Sequence, residues 1–156
     1  MLPFFQWCYD TALGETIRES TWLFPLIEAT HLVGLGLTAG AVLIVDLRLL
    51  GAGLTQQPAA QLWASVRPWL LGSLGLMVIS GTLLFLSEAI KCYYSYAFWV
   101  KMTCLLLALV FAFTVRRHVV QTGPSPDRAL QGRLTAITSL GLWFGVAWGG
   151  RWIGFS

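Results

Sequence analysis

The run WLFPLIEATHLVGLGLTAGAVLIVDLRLL, residues 22–50, decides the fold. It is apolar almost throughout, and its ionisable side chains are confined to Glu28, His31, Asp46 and Arg48. An apolar stretch of 18 or more residues with few charges is the signature of a membrane-crossing helix, because about 20 residues span a hydrocarbon core of about 30 Å. Working outward, three more such runs follow, at about residues 68–86, 96–115 and 134–153. The expectation is an all-α membrane protein, a four-transmembrane-helix bundle forming one domain over residues 1–156.

Composition agrees with this reading. Of the 156 residues, 56% are hydrophobic and 11% charged, against about 25% charged in soluble domains. A soluble fold could bury such a core but could not clothe it in polar surface. The net charge of +3 is small, and no basic stripe with aromatic stacking partners marks a nucleic-acid interface. The lipid bilayer is the expected partner.

The segments between the apolar runs are short. Residues 51–67 hold Gly51, Gly53 and Pro58 and then a short amphipathic stretch. Residues 87–95 carry Tyr93 and Tyr94, an interface belt. Residues 116–133 include Gly123, Pro124 and Pro126 and read as a polar loop. Met1 to Tyr9 is too short to span and reads as an interfacial stretch, and no cleavable signal peptide is expected.

Loop charges predict the orientation. Arg48, Arg67, Arg116, Arg117, Arg128 and Arg133 fall on the two linkers after the first and third runs. Arg18, Lys91 and Arg151 fall on the other side, beside Asp10, Glu15 and Glu19. The positive-inside rule puts the Arg-rich linkers in the cytoplasm and both termini outside. The expected location is a bacterial inner membrane.

Ionisable groups inside a span are costly and mark function by default. At about 100° per residue, Glu28, His31, Thr38 and Asp46 share a sector of about 80° on the first helix. That face should turn into the bundle, with Gly34 leaving space one turn beyond His31. Gly36 and Gly40 form a small-xxx-small pair on another face. Lys101 of the third run shares a face with Cys104, Ala108 and Ala112. A rise of 1.5 Å per residue puts His31 and Lys101 at similar depth on the outer side, with His118 about 25 Å from Lys101. The two histidines therefore should not bind one iron.

Each group also has a plainer reading. His31 could hydrogen-bond a neighbouring helix, Glu28 could pair with Lys101, and Lys101 could snorkel to the headgroups. Asp46 with Arg48 reads as an ion pair at the inner interface. Arg116, Arg117 and His118 read as a solvated cytoplasmic collar, and Arg151 as an outer anchor that could also reach a ligand carboxylate. Cys8, Cys92 and Cys104 show no metal-ligand spacing. Cys104 reads as packing, and a Cys8–Cys92 disulfide is one option.

The pieces Trp22-Leu-Phe-Pro-Leu-Ile-Glu-Ala-Thr-His31, Asp46-Leu-Arg-Leu-Leu-Gly51, Arg67-Pro-Trp69, Ser80-Gly-Thr-Leu-Leu-Phe85 and Phe98-Trp-Val-Lys-Met102 resemble an uncharacterised bacterial family of small four-helix membrane proteins. More distantly, the arrangement resembles CopD-like copper-resistance membrane domains and HemJ-type protoporphyrinogen oxidases. The HemJ resemblance implies haem b, with His31 and Lys101 on the matching helices. His31 lies deeper in the chain than the HemJ pattern has it, and Phe98-Trp-Val-Lys101 matches that pattern only loosely.

The expected function is a haem b-binding redox protein, in electron transfer or porphyrinogen oxidation. His31 is the axial ligand, Lys101 lines the pocket and is the candidate catalytic group, and Glu28, Gly34 and Arg151 lie about it. A redox partner or quinone, and a homodimer or homotrimer, would accompany that role. The alternatives are CopD-like metal handling or transport, and a non-enzymatic structural subunit of a larger membrane complex. Met77 and Met102 are the internal methionines, without a Met-x-x-Met cluster, which gives copper passage little support.

Overall fold

A computed structural model describes residues 1–53, 56–122 and 129–154. Those residues are overwhelmingly helical, and no strand occurs among them. Two short helices come first, α1 (Leu2–Tyr9) and α2 (Ala12–Glu19). Then follow α3 (Leu23–Leu50), α4 (Ala59–Ser87), the short α5 (Ala89–Tyr94) and α6 (Tyr96–Phe111). A π-helical segment over Ala112–Arg116 joins α6 to α7 (Arg117–Thr122), and α8 (Ala129–Ile153) closes the chain. The loop expected at 123–128, with Gly123, Pro124, Pro126 and Arg128, lies outside the described residues.

Among the described residues, three helices are long and apolar enough to cross a membrane: Leu23–Leu50, Ala59–Ser87 and the continuous stretch Tyr96–Thr122. The helix α8, at 25 residues, has the length, but Gln131, Arg133, Thr135, Thr138 and Ser139 make its first half more polar.

Two helices begin earlier than the apolar runs predict. The run at 68–86 belongs to a helix that starts at Ala59, with Pro58 at its N-cap and Pro68 inside it. Ala59, Leu62 and Trp63 are buried, so the amphipathic stretch packs as the first turns of α4. Pro68 sits on the exposed side, and the loss of its amide proton does not break the helix. Likewise α8 starts five residues before the predicted 134.

The chain ends α3 with Gly51 in the left-handed region (φ 77°), whose amide donates to a carbonyl of the last turn. Glycine takes this conformation without a Cβ penalty, so it stops the helix cleanly. At the opposite end of the bundle, α2 lies over the C-terminus of α4. Thr11 caps α2 by accepting from the Gly14 amide at 3.3 Å. Arg18 donates Nη1 to the carbonyls of Leu86 (3.4 Å) and Ser87 (3.3 Å), supplying partners to a helix end that has none of its own. Its guanidinium stacks on Tyr9, 3.7 Å from the ring centre.

Two seams hold the long helices. Along α4, Ser73, Ser80 and Ser87 recur every seven residues, and all three are buried. Each donates to a carbonyl of its own helix, at Leu70, Leu76 and Leu84. Thr38 of α3 donates to Ser73 Oγ at 2.8 Å. The α6–α8 seam is built on glycine. A Cβ at Gly149 would stand 2.9 Å from Lys101 Cβ and 3.0 Å from the Ala97 carbonyl, and one at Gly145 would stand 2.7 Å from Cys104 Sγ. Gly36 and Gly40 face open space, with nothing within 4 Å of where a Cβ would sit.

The π segment has a packing reason. Ala108, Ala112, Arg116 and Val120 are all buried, a spacing of four. On a straight α-helix such a row drifts sideways, because a turn holds 3.6 residues. A wider turn closed by i→i+5 bonds absorbs the surplus and keeps the row facing inward.

Candidate functional site

The polar groups fall at two levels along α3, 15 residues apart at His31 and Asp46, or about 22 Å at 1.5 Å per residue; they are called outer and inner after the sides that the loop charges predict.

At the outer level, His31 Nδ1 lies 2.9 Å from Ser80 Oγ. Ser80 spends its only proton on the Leu76 carbonyl, 2.7 Å away. With that proton so placed the oxygen is an acceptor, an arrangement that favours the tautomer with the proton on Nδ1 and the lone pair on Nε2. A Cβ at Gly81 would lie 3.2 Å from His31 Cε1, so glycine lets the ring lie against α4. The space expected beside Gly34 is filled: a Cβ there would meet Met77 Cγ at 2.9 Å. Gly34 thus serves the approach of α3 to α4.

Lys101 lies along Gly149 and Gly150 of α8. It is within electrostatic range of His31, and among the described residues it has no ion-pair partner. Glu28 is exposed on α3 and does not pair with Lys101. The predicted polar face therefore twists out of the bundle toward its outer end, with Thr38 and Asp46 fully buried, His31 half-buried and Glu28 outside. Arg151 is exposed near the end of α8, at the same end of the bundle.

Below these helices, α1 and α5 share a small core of Phe5, Cys8, Ala89 and Cys92. The two cysteines are buried free thiols there. Burial, and then the Glu88 carboxylate, push the Cys92 thiol up to about 11. Beside them a cleft of about 690 Å³ opens between α2, α5 and the start of α3, lined among others by Arg18, Glu88, Lys91 and Tyr94.

The inner level differs from its sequence reading. Asp46 does not pair with Arg48, whose Nε donates to the Gln57 carbonyl at 2.6 Å. Its partner is Arg116, which is not in a solvated collar. Arg116 Nε donates to Asp46 Oδ1 at 2.8 Å, with both side chains completely buried. Nη2 donates to the Val42 carbonyl at 2.9 Å, and the guanidinium lies 5.3 Å from the Trp63 ring centre. Arg117 and His118 are exposed as expected. The π segment makes the difference, since it turns the last residue of an apolar run inward.

Sequence reasoning also missed Ser80, Ser139 and Trp143 as polar groups of these levels. The seven-residue serine repeat of α4 was the available signal for the first. Ser139 and Trp143 stand one turn apart on α8, and Ser139 lies within reach of the Asp46 carboxylate.

These residues suit one kind of metal ligand and not another. Among the described residues no group of three or more His, Cys, Asp or Glu could hold a bare ion. An iron already held by a porphyrin needs only one or two axial ligands, and an imidazole with its second nitrogen fixed by a hydrogen bond is suited to that.

The sequence of this bundle matches a defined family over residues 4–156. The chain belongs to DUF6644, a family of unknown function. No characterised protein and no solved structure matches this DUF6644 chain, so the geometry has to carry the functional reading.

Proposed function

We propose that this DUF6644 protein is a four-span protein of a bacterial inner membrane that binds haem b through His31 and serves a redox role. One observation carries the reading. At the outer level, a half-buried imidazole presents a lone pair on Nε2, and a lysine without a counter-charge lies within electrostatic range of it. An uncompensated ammonium in a span is expensive. A ligand combining an electron-pair acceptor with carboxylates satisfies both groups, and an iron porphyrin with its propionates is such a ligand.

In this role His31 holds the iron, Ser80 holds the ring, and Lys101 takes a propionate. Arg151 is suited to a second carboxylate by its place at the same end. Bound haem supplies one-electron chemistry. The protein's part is to fix the imidazole, to supply positive charge and to keep the site in a medium of low dielectric. The length of α8 and its packing against α6 support a fourth span. The Arg-rich linkers support an inward orientation for that end of the bundle, with both termini outside.

Copper handling has less support. Met77 is buried, with its sulfur 3.5 Å from Thr38 Oγ1, while Met102 is exposed on the outside of α6. The deciding experiment is the visible spectrum of the purified protein, oxidised and reduced, for wild type and His31→Ala. The reading expects a haem spectrum that His31→Ala abolishes or shifts. A colourless wild type in full yield after haem supplementation would sink the haem proposal. A spectrum unchanged in His31→Ala would sink the ligand assignment.

A further inference from the structure

The cleft beside α5 is a second site, independent of His31. It encloses about 690 Å³ between α2, α5 and the start of α3, within the roughly 300–1,000 Å³ of small-molecule sites. Its charged lining is mixed in sign, with Arg18 and Lys91 against Glu88. Arg18 is fixed before any ligand arrives. Its Nη1 donates to the carbonyls of Leu86 and Ser87, and its guanidinium stacks on Tyr9. Its Nε and Nη2 have no partner among the described residues. Glu88 and Lys91 stand 3.9 Å apart, each with 38% of its side chain exposed. An exposed pair that loose is worth little, so both groups are open to a ligand.

The cleft also lies where a bilayer has its headgroups. Phe24 and Pro25 of its lining belong to the first turn of α3, and Ser87 and Glu88 end α4, so two membrane-crossing helices terminate there. Trp22, Tyr94 and Tyr96 are strongly exposed at this end of the bundle, and Trp and Tyr collect at the headgroup level. Phe24, Pro25 and Ile90 give the cleft an apolar wall. A bare anion would suit Arg18 and Lys91 but face Glu88. A bare cation would suit Glu88 but face the two bases. A zwitterion with a phosphate and an ammonium suits all three, and a lipid that carries one brings apolar chains for the wall.

We infer that this cleft holds the headgroup of an ethanolamine phospholipid. Arg18 and Lys91 take the phosphodiester oxygens, Glu88 takes the ammonium, and the glycerol lies against the apolar wall. A guanidinium already held by two carbonyls and a ring gives up little freedom on binding. The primary ammonium matters, because it donates charge-assisted hydrogen bonds to a carboxylate, whereas a trimethylated choline has no N–H to donate. The bound lipid joins α2 to α5 and needs no haem.

Native mass spectrometry of the full chain, purified in mild detergent, tests this with lipids of identical acyl chains. The expected result is a retained phosphatidylethanolamine, bound about fivefold or more tightly than phosphatidylcholine, the size of one charge-assisted hydrogen bond. Glu88→Ala should erase that preference, and Lys91→Gln should weaken both lipids. Equal retention of the two lipids by the wild type overturns the inference, and this arm stands even if no variant folds. A preference unchanged in folded Glu88→Ala also overturns it. Stronger retention of phosphatidylglycerol than of phosphatidylethanolamine would mark a site for anions alone and overturn the ethanolamine assignment. Glycerophosphoethanolamine, the same headgroup without chains, separates the sources. If it displaces the lipid at equal concentration, the ligand is a free zwitterion and the lipid assignment falls.

Discussion

The Asp46–Arg116 pair tests burial at the scale of single residues. Two charges removed from water are balanced chiefly by each other and by the Val42 carbonyl, with the Trp63 ring beside the guanidinium. Removing one partner leaves the other buried and unpaired, at a cost of roughly 3–5 kcal/mol. Arg116→Ala and Asp46→Ala should each destabilise the protein by that order in denaturant titrations from mild detergent. The double variant Asp46→Leu, Arg116→Leu should cost much less than the sum. Strict additivity would mean that the pair is not coupled. A second test concerns Cys92. The folded state holds its thiol proton up to about 11, against an ordinary 9.0. Its contribution to stability is therefore whole below pH 9 and fades as pH rises toward 11. In a Cys8→Ser, Cys104→Ala background, maleimide labelling of Cys92 should be slow at pH 8 in the folded protein and fast once it is unfolded. Equal rates would contradict the burial.

Between helices, glycine has opposite meanings at different places on one element. Gly149 and Gly141 both lie on α8. Gly149 meets Lys101 and the Ala97 carbonyl at close range, whereas Gly141 has nothing within 4 Å. Gly149→Ala should cost roughly 1–3 kcal/mol through overpacking. Gly141→Ala should be neutral or gain up to about 1 kcal/mol from helix propensity. Thermal denaturation of the two variants side by side checks this contrast, and equal shifts would contradict it. The same logic explains what could be read in advance. Apolar runs set the existence of the long helices, because their signal is spread over some twenty residues. The start of α4 was hidden, because Pro68 looks like a boundary in isolation. The inward turn of Arg116 was hidden more deeply, because an arginine after an apolar run looks like its solvated flank. Only the spacing of Ala108, Ala112, Arg116 and Val120 could have shown that the row continues. Ser80 was visible as a residue, but its hold on His31 required knowing which face of α4 meets α3.

For the whole molecule, four spans fix where the two ends of the chain must lie. Reporters fused before α1 and after α8 should register outside, and one inserted in residues 51–58 should register in the cytoplasm. Termini on opposite sides would contradict a four-span protein. Gly36 and Gly40 form a smooth stripe on the outward face of α3 that nothing among the described residues covers. Small residues at this spacing let helices of separate chains approach closely. If this stripe joins two copies, replacing both glycines with leucine should abolish cross-linked dimers in membranes without lowering protein yield.

The buried pair also bears on how the chain is made. Asp46 and Arg116 are 70 residues apart in sequence. At roughly 5–20 residues per second of synthesis, the acid emerges some 4–14 s before its base. An ionised carboxylate in lipid is costly without its base, so the first long helix reaches its final packing only once the third has been made. The ion pair is thus a late latch in biogenesis, closing only when most of the chain has left the ribosome.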